Sequence, residues 1–114
     1  MGRQGAGARP GRQSAHADRA LNQARLNELL RALAHEERRR ILQACLVQPQ
    51  AAGELVAASG LSAASVSEHL KVLRKTGLVV LERRGRYRLY RTEPSCLLAV
   101  AGSIEQLVSR RGAR

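Results

Sequence analysis

Cationic side chains dominate the groups in this 114-residue chain that can do chemistry. Lys and Arg number 20 against 9 Asp and Glu, for a formal charge of +11. The excess peaks between residues 61 and 93, with Lys71, Arg74 and Lys75 in one cluster and Arg83, Arg84, Arg86, Arg88 and Arg91 in another. Such a density implies a polyanionic partner. Nucleic acid fits better than a membrane surface, because no basic helix here carries a large exposed apolar face. Groups that would catalyse a reaction are missing from the pattern: there is no Ser/His/Asp set, no paired carboxylates, no phosphate-cradling glycine loop and no clustered Cys/His spacing. His16 falls in an aperiodic N-terminal stretch. His35 stands at a helix start, as a capping residue rather than a ligand. His69 flanks a buried helix face, where packing or a phosphate contact suits it better than catalysis. The chain therefore reads as a binding protein, not an enzyme, and it calls for no cofactor. Its two thiols, Cys45 and Cys96, leave two readings open: small core hydrophobes, or an effector-reactive site.

The cations need elements to present them. Gly60 can take a positive φ and end a short helix, and Ser62 can then cap a second one. In that second helix Val66, Leu70 and Leu73 repeat at i, i+4 and i+7. Its opposite stripe holds Ala63, Ala64, Ser67, Glu68, Lys71, Arg74 and Lys75. A helix with one buried face, a small leading turn and a cationic far end suits a DNA major groove. Gly77 closes it, the aliphatic run 78–81 starts an extended segment, and Gly85 marks the tip of an arginine-rich hairpin over 79–91. The pattern is a helix-turn-helix followed by a basic β-wing.

Around that unit the chain divides simply. Residues 1–17 are rich in Gly, Ala, Arg, Gln and Pro without periodicity and read as a disordered basic arm. Asp18 is placed to cap a first helix over 19–33 whose face is Leu26, Leu29, Leu30 and Leu33. A second helix opens at His35 with Glu36 and Glu37, continues through Arg38, Arg39 and Arg40, and buries Ile41, Leu42, Cys45 and Leu46. The arginine run either touches phosphate or forms a solvated flank paired with the two glutamates. A short third helix over 52–59 is anchored by Leu55. The last helix starts near Pro94 and repeats Leu97, Ala101, Ile104 and Val108, with more apolar surface than a small domain can bury. One domain over 18–109 with a basic tail at 110–114 follows, mainly α with about five helices and a two-stranded hairpin. With no Phe, no Trp and two Tyr, its core is thin, and oligomerisation would bury more. No run approaches the ~18 apolar residues that span a bilayer, and the N-terminus has no apolar segment of a secretory signal. A cytoplasmic, nucleoid-associated protein is expected.

At Leu33–Leu42, Gly53–Leu55, Gly60–Ser62, Val66–Leu73, Gly77–Val79 and the Arg/Tyr-rich wing, the chain resembles the ArsR-type winged helix-turn-helix repressors of bacteria. The resemblance covers roughly residues 25–109. It implies a homodimer on an inverted-repeat operator, released by an effector. DNA would be met by Ser62, Ala63, Ala64, Ser65, Ser67, Glu68, Lys71 and Arg74, and by Arg83, Arg84, Arg86 and Arg88 of the wing. The dimer would form through Leu26, Leu30, Leu97, Ala101, Ile104 and Val108. Relatives often carry Gln and Ser where Ala63 and Ala64 stand, and alanine can touch only thymine methyls, so readout leans on shape and the wing. They also carry a Ser or Thr cap where Ala51 stands, which leaves this third helix weaker by ~1 kcal/mol. The family's metal sites find no match: 50–55 has no thiol, and Pro94, Cys96, Leu107 and Arg110 occupy the places of the other ligand set. The family's thiol sensors pair a Cys of the second helix with one of the last, as Cys45 and Cys96 do in a shifted register. Two rival functions remain: a sequence-tolerant architectural DNA-binding protein, and a winged helix reused for protein interaction.

Overall fold

The computed structural model describes residues 21–112, with side chains as far as Ser109. Expectations for the arm at 1–17, for Asp18 and for the end of the tail lie outside these residues. The elements run α1 (Gln23–Leu33), α2 (Glu36–Val47), α3 (Ala52–Ser59), α4 (Ala63–Lys75), β1 (Val79–Arg84), β2 (Tyr87–Thr92) and α5 (Pro94–Gly112). Among the described residues five helices and one two-stranded antiparallel sheet form a winged helix-turn-helix.

The described α1 begins at Gln23, inside the expected span 19–33, with residues 21 and 22 outside the helix. Asn22 takes the extended cap conformation and its Oδ1 accepts from the Arg25 amide at 2.8 Å. A carboxamide binds the free amides of a first turn well and competes with the backbone inside a helix, so Asn22 is a natural boundary. His35 holds the corresponding place in α2 through its backbone alone: its ring makes no capping hydrogen bond. Glu36 and Glu37 in the first turn supply the negative charge that end requires. Leu46 corrects the expected stripe. Ile41, Leu42 and Cys45 are buried, whereas Leu46 is 48 % exposed. It lies about 100° further round the helix than Cys45, beyond the reach of the neighbouring elements.

The core gathers Leu29 and Ala32 of α1, the three α2 residues, Leu55 of α3, and Val66, Leu70 and Leu73 of α4, closed by Leu78, Val79 and Val100. The α4 terminus is a Schellman turn: Gly77 at φ 81° donates to the Arg74 carbonyl, and the Leu78 amide donates to that of Leu73. Leu73 and Leu78, the apolar pair of that motif, are both fully buried. β1 and β2 pair from Val79 opposite Thr92 to Arg84 opposite Tyr87, leaving Gly85 and Arg86 as the turn. Two long-range contacts fasten the wing to the helices. The Thr92 hydroxyl donates to the Leu42 carbonyl at 2.7 Å. Gln50 exchanges backbone bonds of 3.0 and 2.7 Å with Tyr90 on the outer edge of β2. The last helix runs to Gly112, past the boundary at 109 that the sequence suggests.

At the start of α3, Ala51 has cap geometry but no side-chain oxygen, and only the reciprocal half of a capping box forms, with Glu54 Oε1 accepting from the Ala51 amide at 2.7 Å. Ala51→Ser completes the box. The expected gain is about 1 kcal/mol, read as a melting temperature about 4–8 °C higher in a thermal scan.

Candidate nucleic-acid interface

The recognition element is built by burial on one side. Val66, Leu70 and Leu73 leave at most 3 % of their surface exposed, so Ala63, Ala64, Ser67, Glu68, Lys71, Arg74 and Lys75 must face outwards, and all are exposed. Ser62 is exposed too, and its Oγ accepts from the Ser65 amide at 3.0 Å, leaving its own O–H free to donate. Ser65 is half-buried and lies on the flank turned towards α2, with His69. There His69 Nδ1 accepts from Arg38 Nε at 3.2 Å, so His69 ties the recognition helix to α2. The other two arginines of the run are also engaged: Arg40 pairs with Glu36 at 2.7 Å, and Arg39 donates to the Leu33 carbonyl.

Between the start of α3, the outer face of α4 and the wing lies an open groove of about 580 Å³, lined by Ala52, Gly53, Ala63, Ser67, Lys71, Arg74, Lys75 and Tyr90 among others. It brings together four of the expected DNA-facing residues of α4, Ala63, Ser67, Lys71 and Arg74, with Lys75 of the same stripe and with Tyr90, which sequence reasoning passed over. Lys75 was legible as the residue one turn beyond Lys71. Tyr90 was not, because its place depends on the pairing with Gln50. The wing divides its cations. Arg84 lies 3.2 Å from Glu82, and Arg91 bridges Glu82 at 2.9 Å and Glu93 at 3.5 Å. Arg83, Arg86 and Arg88 are exposed, and none is in a salt bridge among the described residues.

The other candidate residues occupy the opposite region. α1 and α5 pack against each other, with Leu26 and Leu97 half-buried and Ala101 exposed. Leu30, Ile104 and Val108 stand 37, 45 and 70 % exposed. Leu98 and Leu107 flank them at 69 and 67 %. Among the described residues no group of three or more His, Cys, Asp or Glu gathers as a metal site would require, and no helix is long and apolar enough to cross a membrane. Both cysteines are unbridged. Cys45 is fully buried, and burial pushes its thiol up from 9.0 to about 11. Cys96 is half-buried and its Sγ approaches the Thr76 carbonyl at 3.9 Å. Its thiol is also raised, mainly by burial, with Arg25 opposing and Glu93 reinforcing the shift.

Residues 35–80, from the α2 cap into β1, match the family described as bacterial regulatory protein, arsR family. The HTH-type transcriptional regulator CmtR of Mycobacterium tuberculosis is 40 % identical over 88 residues, 77 % of this chain and 75 % of CmtR. The chain belongs to the arsR family. It is a transcriptional regulator of the winged helix-turn-helix type and not an enzyme. An ArsR-like transcriptional regulator from a Rhodococcus species superposes with a TM-score of 0.74 at 28 % identity, covering 80 % of this chain and 86 % of that one. A Mycobacterium bovis domain, described as a homodimeric winged helix-turn-helix DNA-binding domain, superposes at 0.57 with 25 % identity, covering 92 % of this chain and 91 % of its own.

The thiol environments make two predictions. In the native protein at neutral pH, a thiol reagent reacts with Cys96, while Cys45 reacts only on unfolding, because the thiolate is the reactive form. The Cys45 thiol is raised in the folded state, so its contribution to stability is complete below pH 9 and is lost as pH rises through about 11. Urea melts should show wild type losing roughly 2 kcal/mol more than Cys45→Ala across that window.

Proposed function

We propose that this regulator is a homodimeric repressor that binds an inverted-repeat operator. The recognition helix, about 62–76, would enter the major groove and the basic wing, 79–91, would lie against neighbouring backbone. The observation that carries this reading is the single cationic surface made by Ser67, Lys71, Arg74 and Lys75 on α4 and continued by the wall at Tyr90. Two such helices about one turn of DNA apart, roughly 34–36 Å, meet adjacent major grooves. Ala63 and Ala64 can offer only methyl contacts, so Ser67, Glu68 and Lys71 supply polar readout and DNA shape supplies the rest. Dimerisation through α1 and α5 is supported by the exposed Leu30, Ile104 and Val108, and by the homodimeric description of the Mycobacterium bovis domain.

An effector would release the operator. The thiols favour Cys96 over Cys45 as the residue such an effector reaches, because Cys45 has no exposed surface. A band shift on the DNA upstream of the protein's own gene, repeated with metals, arsenite, persulfide and peroxide, tests repression and effector class together. The two alanines at the head of the recognition helix favour a second reading, a sequence-tolerant architectural protein. A specific-to-competitor affinity ratio near one would select it.

Two outcomes check the main reading. Operator affinity should fall by several decades between 50 and 200 mM salt, as expected for a dimer with ~8 phosphate contacts. Ile104→Asp should place an unpaired charge in the α1–α5 seam, costing several kcal/mol. Sedimentation should then give monomer with much weakened DNA binding, and a stable dimer of unchanged affinity would put the interface elsewhere.

A further inference from the structure

The wing has two faces, and their charges differ. Residues directly opposite in an antiparallel pair share a face, and alternate residues along a strand share it too. One face therefore carries Val79 and Thr92, then Leu81 and Tyr90, then Arg83 and Arg88 at its outer end. The other carries Val80 and Arg91, then Glu82 and Leu89, then Arg84 and Tyr87. On this second face Glu82 sits between Arg84 at 3.2 Å and Arg91 at 2.9 Å, and Glu93 closes on Arg91 at 3.5 Å. Two carboxylates balance two guanidiniums there. The first face carries two guanidiniums and no carboxylate.

Arg83 and Arg88 stand directly opposite each other across the strands. Like charges at that spacing, about 5 Å between Cβ atoms, weaken strand pairing, so the arrangement is unfavourable until an anion sits between them. A phosphate accepts from two guanidiniums at once, and the planar forks suit it better than they suit a compact halide. The next pair inwards on the same face ends at Tyr90, which walls the groove that also holds Lys71, Arg74 and Lys75. The unbalanced face of the wing is thus continuous with the cationic side of the recognition helix, and the balanced face turns away from it.

We propose that the wing grips DNA from this one face only. Arg83 and Arg88 together clasp a backbone phosphate of the strand that runs along the α4 groove. Arg84 is a strut held by Glu82, and Glu82 keeps the outer face neutral so that the wing does not bind polyanions from both sides. This inference rests on the DNA-binding reading above and divides the wing arginines that the sequence presented as equivalent.

The test measures affinity for a random-sequence duplex as a function of salt, by fluorescence anisotropy, in the full-length protein. Arg83→Gln and Arg88→Gln should each flatten the log–log slope, and the double variant should lose about 0.9 per protomer, the one phosphate contact they share. Arg84→Gln should change it by less than half as much. Glu82→Gln, which releases Arg84 and Arg91, should raise affinity and steepen the slope. Thermal scans without DNA should show Arg83→Gln and Arg88→Gln melting no lower than wild type, since each relieves a like-charge pair. Equal slopes for Arg83→Gln and wild type, or an equal loss in Arg84→Gln, would overturn the proposal. If the wild type fails to bind duplex even at 50 mM salt, the DNA reading falls, and the clasp is judged separately by NMR with inorganic pyrophosphate. Shifts of the Arg83 and Arg88 Nε–H resonances, with Arg84 and Arg91 unmoved, would sustain it as an anion site. Shifts in all four, or in none, would end it.

Discussion

Burial of Val66, Leu70 and Leu73 along one side of α4, locked at its end by the Leu73–Leu78 contact across Gly77, is the constraint from which the other geometry follows. Three fully buried aliphatic residues on one helix leave it no freedom to rotate about its axis. Its polar stripe therefore has one orientation. Because the Schellman turn at Gly77 leads directly into Val79, the same seam also sets where the wing begins. Losing it would alter the direction of both α4 and the wing at once, a larger effect than the loss of any surface cation.

The wing is held as firmly at its base as it is free at its tip. Thr92 binds the Leu42 carbonyl and Gln50 pairs with Tyr90, so α2, the start of α3 and the hairpin share one hydrogen-bonded junction. His69 with Arg38 adds a third link, between α2 and α4. Among the described residues the distal half of α5 has no such support. With no Phe or Trp to enlarge the core, Ile104, Leu107 and Val108 stand 45, 67 and 70 % exposed among the described residues. Apolar surface of that kind is relieved by association more readily than by refolding within a small domain.

Charge is distributed by a comparable division of labour. The acidic residues are few, and most of those in ion pairs brace an arginine on a local element: Glu36 with Arg40, Glu82 with Arg84 and Arg91, Glu93 with Arg91. Exposed pairs of this type add little stability. Their larger effect is to cancel positive charge on selected surfaces, which leaves the remaining cations concentrated around the α4 groove and the inner face of the wing.

The helices, the hairpin and the recognition stripe were legible in the sequence because each rests on short-range chemistry. Periodicity revealed the buried face of α4 and the apolar, largely exposed stripe of α5, Ser62 and Gly77 marked the ends of α4, and Gly85 marked the turn. The same local rules misplaced the start of α1 relative to Asn22, gave His35 a capping bond it does not make and buried Leu46. In each case the outcome depended on a competing residue nearby or on whether a neighbouring element reached that far. Only the tertiary structure decided that Tyr90 walls the groove, that His69 belongs to Arg38, that Cys45 is sealed while Cys96 is half-open, and that Glu82 neutralises one side of the wing. Those facts join residues that are close in space through strand register or helix packing, and periodicity along the chain does not encode which face of one element meets which face of another.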